Sequence, residues 1–208
     1  MGIEVKGISK TFKNQVVLKD ISLSLMTGKC YGFIGNNGCG KSILLKSICG
    51  FIKVDSGEIW VNDKQIIGGS HFIESAGIII ESPEWMNNLS GYANLCILAE
   101  IRKQIDTNQI NGTLKLVGLE DSKDKKVKKY SLGMKQRLRI AQAIMENPDI
   151  LILDEPFNGL DKSGVQEIQD LLATYKSRGK TILLTSHDER NIEFLCDEVY
   201  ELESGAII

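Results

Sequence analysis

Gly35-Asn36-Asn37-Gly38-Cys39-Gly40-Lys41-Ser42 is the stretch on which the reading of this 208-residue chain turns. It satisfies G-x-x-x-x-G-K-S at every required position. A short apolar run, Cys30-Tyr31-Gly32-Phe33-Ile34, precedes it, and Ile43, Leu44, Leu45 and Ile48 follow at helical spacing until Gly50 closes the segment. Strand, glycine-rich loop and helix in that order form a phosphate cradle. The glycines let backbone N–H groups turn inward around an anion, and the helix points its positive end at the same place. In such a loop Lys41 reaches the β and γ phosphates of a nucleotide and the Ser42 hydroxyl ligates Mg2+.

Further along, Ile150-Leu151-Ile152-Leu153 reads as a buried strand that ends in Asp154-Glu155-Pro156. Open α/β sheets bind ligands at the carboxyl ends of their strands. Asp154 there suits an outer partner of Mg2+, and Glu155 suits a group that orients or deprotonates the attacking water. Around these motifs, Val16–Leu18, Ile21–Leu25, 57–62, 76–80, Thr181–Thr185 and 198–202 read as strands, and 162–177 and 188–195 as helices. Between Ser82 and Asn147 the spacing predicts helices alone, over 92–103, 108–117 and 131–146. Residues 1–81 and 148–208 are thus expected to form one α/β catalytic core, with 82–147 inserted as a helical arm.

Composition excludes several classes. The chain is 42% hydrophobic and 25% charged with a formal charge of −2, which gives no pull towards nucleic acid. The basic stretch Lys123–Lys129 is broken by Asp124 and reads as a solvated loop. No run approaches the roughly 20 apolar residues of a membrane span, and the first residues lack a signal-peptide core. The five cysteines (Cys30, Cys39, Cys49, Cys96, Cys196) are scattered without a C-x-x-C pair, which points to reduced thiols and a cytoplasmic location.

Many nucleotide hydrolases share a phosphate loop and an acidic strand end. The segment that discriminates is Tyr130-Ser131-Leu132-Gly133-Met134-Lys135-Gln136-Arg137, which resembles the L-S-G-G-Q signature of the ABC ATPases. Ser131 and the Gly133 N–H are expected at the start of a helix running from Met134, another anion site. Phe12 is similar to the aromatic that stacks on adenine in that family, Asn158-Gly159-Leu160-Asp161 to its D-loop, and His187 to its switch histidine. The alternatives are a core aromatic for Phe12 and a helix-start residue for His187. The resemblance covers essentially the whole chain. It implies a P-loop NTPase core with a mostly parallel sheet, an N-terminal antiparallel β subdomain and an inserted all-helical subdomain. It also implies ATP and Mg2+ as ligands, and catalysis by Lys41, Glu155 and His187. Ser131 and Gly133 would touch the γ-phosphate held by another subunit, in a homodimer or a dimer with a similar ATPase. Transmembrane permease subunits would be the partners, with the chain peripheral on the inner face of the membrane. The alternative is a soluble ABC ATPase that moves no solute.

Three positions depart from the family pattern. Glu81 stands where a Gln is usual and is expected as a further Mg2+ ligand. With the signature variant it resembles the exporter branch linked to bacitracin and lantibiotic self-protection. Leu132 replaces a Gly, so a positive φ there would be strained, and Met134 replaces a Gln. After Glu81, the large apolar residues Pro83, Trp85, Met86, Leu89 and Tyr92 are read either as a groove for a helix of the membrane partner or as the pin that fastens the helical arm.

Overall fold

The computed structural model describes residues 2–81 and 84–208. In chain order it runs β1 (Gly2–Phe12), β2 (Gln15–Met26), β3 (Cys30–Ile34), α1 (Lys41–Ile48), β4 (Ser56–Val61), β5 (Lys64–Ile66) and β6 (Ala76–Ile79). The helices α2 (Gly91–Arg102), α3 (Thr107–Leu116) and α4 (Leu132–Ile144) follow, then β7 (Ile150–Leu153), α5 (Lys162–Ser177), β8 (Thr181–Thr185), α6 (Glu189–Leu195), β9 (Glu198–Glu203) and β10 (Ala206–Ile207). One sheet has the order β2-β1-β4-β5 and is antiparallel. The other, β10-β9-β3-β8-β7-β6, is parallel from β9 to β6, with β10 antiparallel at its edge.

The central parallel strands β3, β7 and β8 are buried on both faces, which is why they read as apolar runs. Successive side chains serve different cores. Along β7, Leu151 and Leu153 join the cluster formed with α2 to α6, while Ile150 and Ile152 join the cluster formed with α1 and the antiparallel sheet. Helices α2–α4 therefore share an apolar core with the parallel sheet. Its helices start on side-chain caps: Ser90 for α2, an Asp106–Gln109 capping box for α3 and Ser131 for α4.

Three strands were not anticipated. In β1, Ile3, Val5 and Ile8 point inward, but a register shift between Val5 and Ile8 at Gly7 (φ 59°) interrupts the alternation. β5 and β10 span three and two residues, too few to show a period. Helix α4 lies within the 131–146 expected from the spacing and starts two residues ahead of the Met134 suggested by the signature, because the Ser131 hydroxyl caps it by accepting the Met134 N–H at 3.2 Å. Leu132 takes helical geometry, so the Gly-to-Leu departure stores no backbone strain.

All five cysteines are free thiols. Cys30 and Cys196, far apart in sequence, meet with their sulfurs 3.4 Å apart. The contact with Cys196, together with burial, pushes the Cys30 thiol far above its ordinary range and keeps it from ionising. Among the described residues no helix is long and apolar enough to cross a membrane.

Candidate nucleotide-binding and hydrolysis site

The phosphate loop joins β3 to α1 through two glycines that no other residue replaces easily. Gly35 has φ 135° and a Cβ there would run into the Leu202 carbonyl oxygen; Gly40 has φ 117° and its Cβ would lie 2.8 Å from the Val17 oxygen. Helix α1 follows Gly40 with no side-chain cap and no acidic residue in its first turn, so its leading N–H groups are open to an anion. Lys41 is only 8% exposed, and among the described residues it has no carboxylate partner. Its ammonium instead donates to the carbonyls of Gly35 at 2.6 Å and Asn36 at 3.2 Å. A buried cation held by neutral acceptors alone is an anion receptor, because burial without a counter-charge is costly. A cleft of about 410 Å³ opens beside the loop, lined by Asn36, Asn37, Gly38 and Cys39 and by Gln15, Val16 and Val17.

The acidic strand end lies one strand away, and β8 fills the gap. Asp154 Oδ2 accepts from the Ser42 hydroxyl at 2.6 Å, and Asp154 Oδ1 accepts from the Thr185 hydroxyl at 2.6 Å. Thr185 Oγ1 in turn accepts the Glu155 N–H at 2.9 Å. Glu155 itself has φ 51°, a left-handed conformation that costs a non-glycine residue about 1–2 kcal/mol. Its carboxylate Oε2 lies 2.9 Å from His187 Nδ1, and His187 lines a second cleft with Gly35, Asn36 and Asn37. One hydroxyl and one carboxylate converging in this way present the hard oxygen chemistry that Mg2+ takes, so Ser42 and Asp154 fit that ion.

Ser131 and Gly133 line neither cleft. They stand at the head of α4, where a Cβ on Gly133 would lie 3.0 Å from the Gly159 oxygen of the D-loop. The family model for the ABC transporter matches residues 18–158 of the chain. The chain belongs to the ABC transporter family. It is an ATP-binding cassette ATPase.

An uncharacterized ABC transporter ATP-binding protein, YybJ of Bacillus subtilis (strain 168), is 42% identical over 99% of this chain and 94% of its own length. The bacitracin transport ATP-binding protein BcrA of Enterococcus faecalis is 38% identical over 99% of this chain and 68% of its own. The lantibiotic transport ATP-binding protein SrtF of Streptococcus pyogenes is 34% identical, over 99% and 89%. Among solved structures, an ATP-binding subunit of an ABC transporter superposes with a TM-score of 0.89 at 28% identity, covering 100% of this chain and 88% of that one. A dimeric cassette in a post-hydrolysis state with ADP and Pi shares the fold, with a TM-score of 0.88 at 22% identity over 99% and 96% of the two chains.

The remaining sequence-predicted residues of this ABC cassette divide. Phe12 ends β1 as a 41% exposed ring with the Lys10 ammonium 5.1 Å from its centroid, so it is no core aromatic; it is not among the residues lining the cleft. Glu81, at φ 65°, forms an ion pair with Lys46 of α1 and does not join Ser42 and Asp154. Asp161 caps α5 by accepting the Gly164 N–H at 2.9 Å. Of the apolar group after Glu81, Trp85 and Tyr92 pack on the helical core, while Met86 and Leu89 are exposed; Pro83 lies outside the described residues.

Three side chains of the site had not been singled out. Thr185 is fully buried yet polar at the end of an apolar strand, a signal that was present in the sequence. Gln136 falls within the signature segment, but its partner could not be read from it, and Lys46 gave no signal, because a charged or amide residue on a helix reads as surface until its neighbour is known.

Proposed function

We propose that this chain is the ATP-hydrolysing subunit of an exporter. It pairs with a second copy or a similar ATPase and drives separate transmembrane permease subunits from the cytoplasmic face of the membrane. The observation that carries the reading is the convergence of Lys41, Ser42, Asp154, Glu155 and His187 at the carboxyl end of one parallel sheet. On ATP binding, Lys41 exchanges the Gly35 and Asn36 carbonyls for β- and γ-phosphate oxygens, and the open N–H groups of α1 take the remaining charge. Glu155 orients the attacking water and receives its proton, while His187 holds the carboxylate in place. Ser42 and Asp154 would hold Mg2+, which would supply positive charge to the site when bound. The head of α4, Ser131 and Gly133, completes the site of the other subunit. Residues 1–81 and 148–208 act as the catalytic core and 82–147 as the arm. The exposed Met86 and Leu89 belong to the surface offered to the permease, and the relatives named for bacitracin and lantibiotic transport support export.

The purified chain should hydrolyse ATP in a Mg2+-dependent reaction and be retained by a multi-span membrane protein on affinity purification. A chain that binds MgATP but neither turns it over nor retains such a protein would retire the reading. Glu81 is proposed as an outer Mg2+ ligand that releases Lys46 when nucleotide enters. Glu81→Gln should keep most ATPase activity and change stability by less than about 1 kcal/mol, since the Glu81 carboxylate of the Lys46 pair is largely exposed. The Mg2+ midpoint of ATPase activity should shift and transport should weaken. A Mg2+ titration and transport rate that both match wild type would remove any role for the carboxylate.

A further inference from the structure

Gln136 is 2% exposed on the buried face of α4. Its amide Nε2 donates to the main-chain carbonyl of Pro156 at 2.8 Å and to that of Glu155 at 3.3 Å. Carbonyls only accept, so the orientation of the amide is decided: Oε1 must face away from them and needs a donor of its own. Arg139, one turn along the same helix, supplies it from guanidinium Nη1 at 3.0 Å. Arg139 makes this contact at a cost. It is partly buried, its Nε has no hydrogen-bond partner, and burial holds its guanidinium below the ordinary range. Met or Leu would fill the same space without a stranded N–H, so packing alone does not account for an arginine.

The receiving end is the residue with most to gain from restraint. Glu155 has φ 51°, and its N–H is already held by Thr185 at 2.9 Å. Gln136 holds the carbonyl of the same residue, so the backbone on both sides of its Cα is gripped. We propose that Gln136, oriented by Arg139, is a positioning residue that sets the backbone of Glu155. It thereby ties the catalytic carboxylate of one site to the helix whose head, Ser131 and Gly133, serves the other. This rests on Glu155 being the base, as proposed above. Helix α4 is one continuous element of 13 residues, so a γ-phosphate drawn onto its first turn by a second subunit moves the Gln136 amide with it. Glu155 is then aligned when both sites are loaded.

The test is steady-state ATPase and MgATP binding by the full chain carrying Gln136→Leu, Arg139→Met, Arg139→Lys, or Gln136→Leu with Arg139→Met. Gln136→Leu is expected to lower kcat by about tenfold or more, towards the roughly 10²-fold that a 1 Å misplacement costs, with KM for ATP changed less than about twofold. Arg139→Met falls in the same direction, and Arg139→Lys, which keeps a donor, recovers most of that loss. The double variant should be no slower than Gln136→Leu alone, because one relay is broken once. Wild-type kcat with a lowered Tm in Gln136→Leu, or an additive double variant, would reduce the pair to packing. Should Gln136→Leu fail to fold, the arginine variants still decide, since equal kcat for Met and Lys at 139 overturns the relay. Glu155→Gln assayed alongside separates the two ideas. If it still hydrolyses ATP, the base reading falls and the relay with it; if it is inactive while Gln136→Leu is fully active, the relay alone falls.

Discussion

Glu155→Gln is expected to stop turnover while leaving ATP bound. The substitution keeps shape, and the new amide oxygen still accepts from His187 Nδ1, so the contact at 2.9 Å survives. What is lost is the capacity to take a proton from water, worth about 10²–10⁴-fold in kcat for a general base. The cradle is untouched: Lys41, the open first turn of α1 and the Ser42–Asp154 pair do not involve the Glu155 side chain. Bound MgATP should therefore persist and hold two subunits together through the heads of their α4 helices. Size exclusion in excess MgATP should show the variant as a dimer, with kcat measured on the same sample. A monomer under those conditions, or a kcat within tenfold of wild type, would sink either the base assignment or the dimer.

Lys41→Ala should fail earlier, at binding. Its ammonium is buried against carbonyl oxygens with no counter-ion among the described residues, which makes it the principal positive charge offered to the phosphates. Removing one such preorganised donor costs about 10²–10³-fold in kcat, and here affinity falls too, because the same contact is made before the transition state. Calorimetric titration with MgATP should show little heat, and no dimer should form, the opposite of Glu155→Gln. The fold should persist, since β3 and α1 keep their apolar partners Phe33, Leu44 and Leu45. Nucleotide affinity within a few-fold of wild type would remove Lys41 from the receptor.

The two carboxylates and the phosphate loop were legible because their signals are local. Eight consecutive residues between an apolar run and a helical run specify a cradle, and an apolar strand ending in Asp-Glu brings two carboxylates to the carboxyl end of the sheet. Longer regular elements were equally plain, with helix α5 and strand β8 read to their observed limits, because a period needs only a window of its own length. Strand β1 escaped because its bulge at Gly7 breaks the period, and β5 and β10 are too short to have one.

What the chain's order could not reveal is which side chains from distant segments share a partner. Thr185 bridges Asp154 and Glu155 because the parallel order places β8 between β3 and β7. Gln136 reaches the Glu155 carbonyl because α4 packs on that sheet, and Glu81 turns to Lys46 because β6 ends beside α1. The sequence by itself determined the class of chemistry and most of the groups that converge at the candidate site, since those depend on residue type at short spacing. The tertiary structure alone decided how the groups are held and which of them cooperate, because a hydrogen bond is set by distances of about 3 Å that no sequence separation encodes.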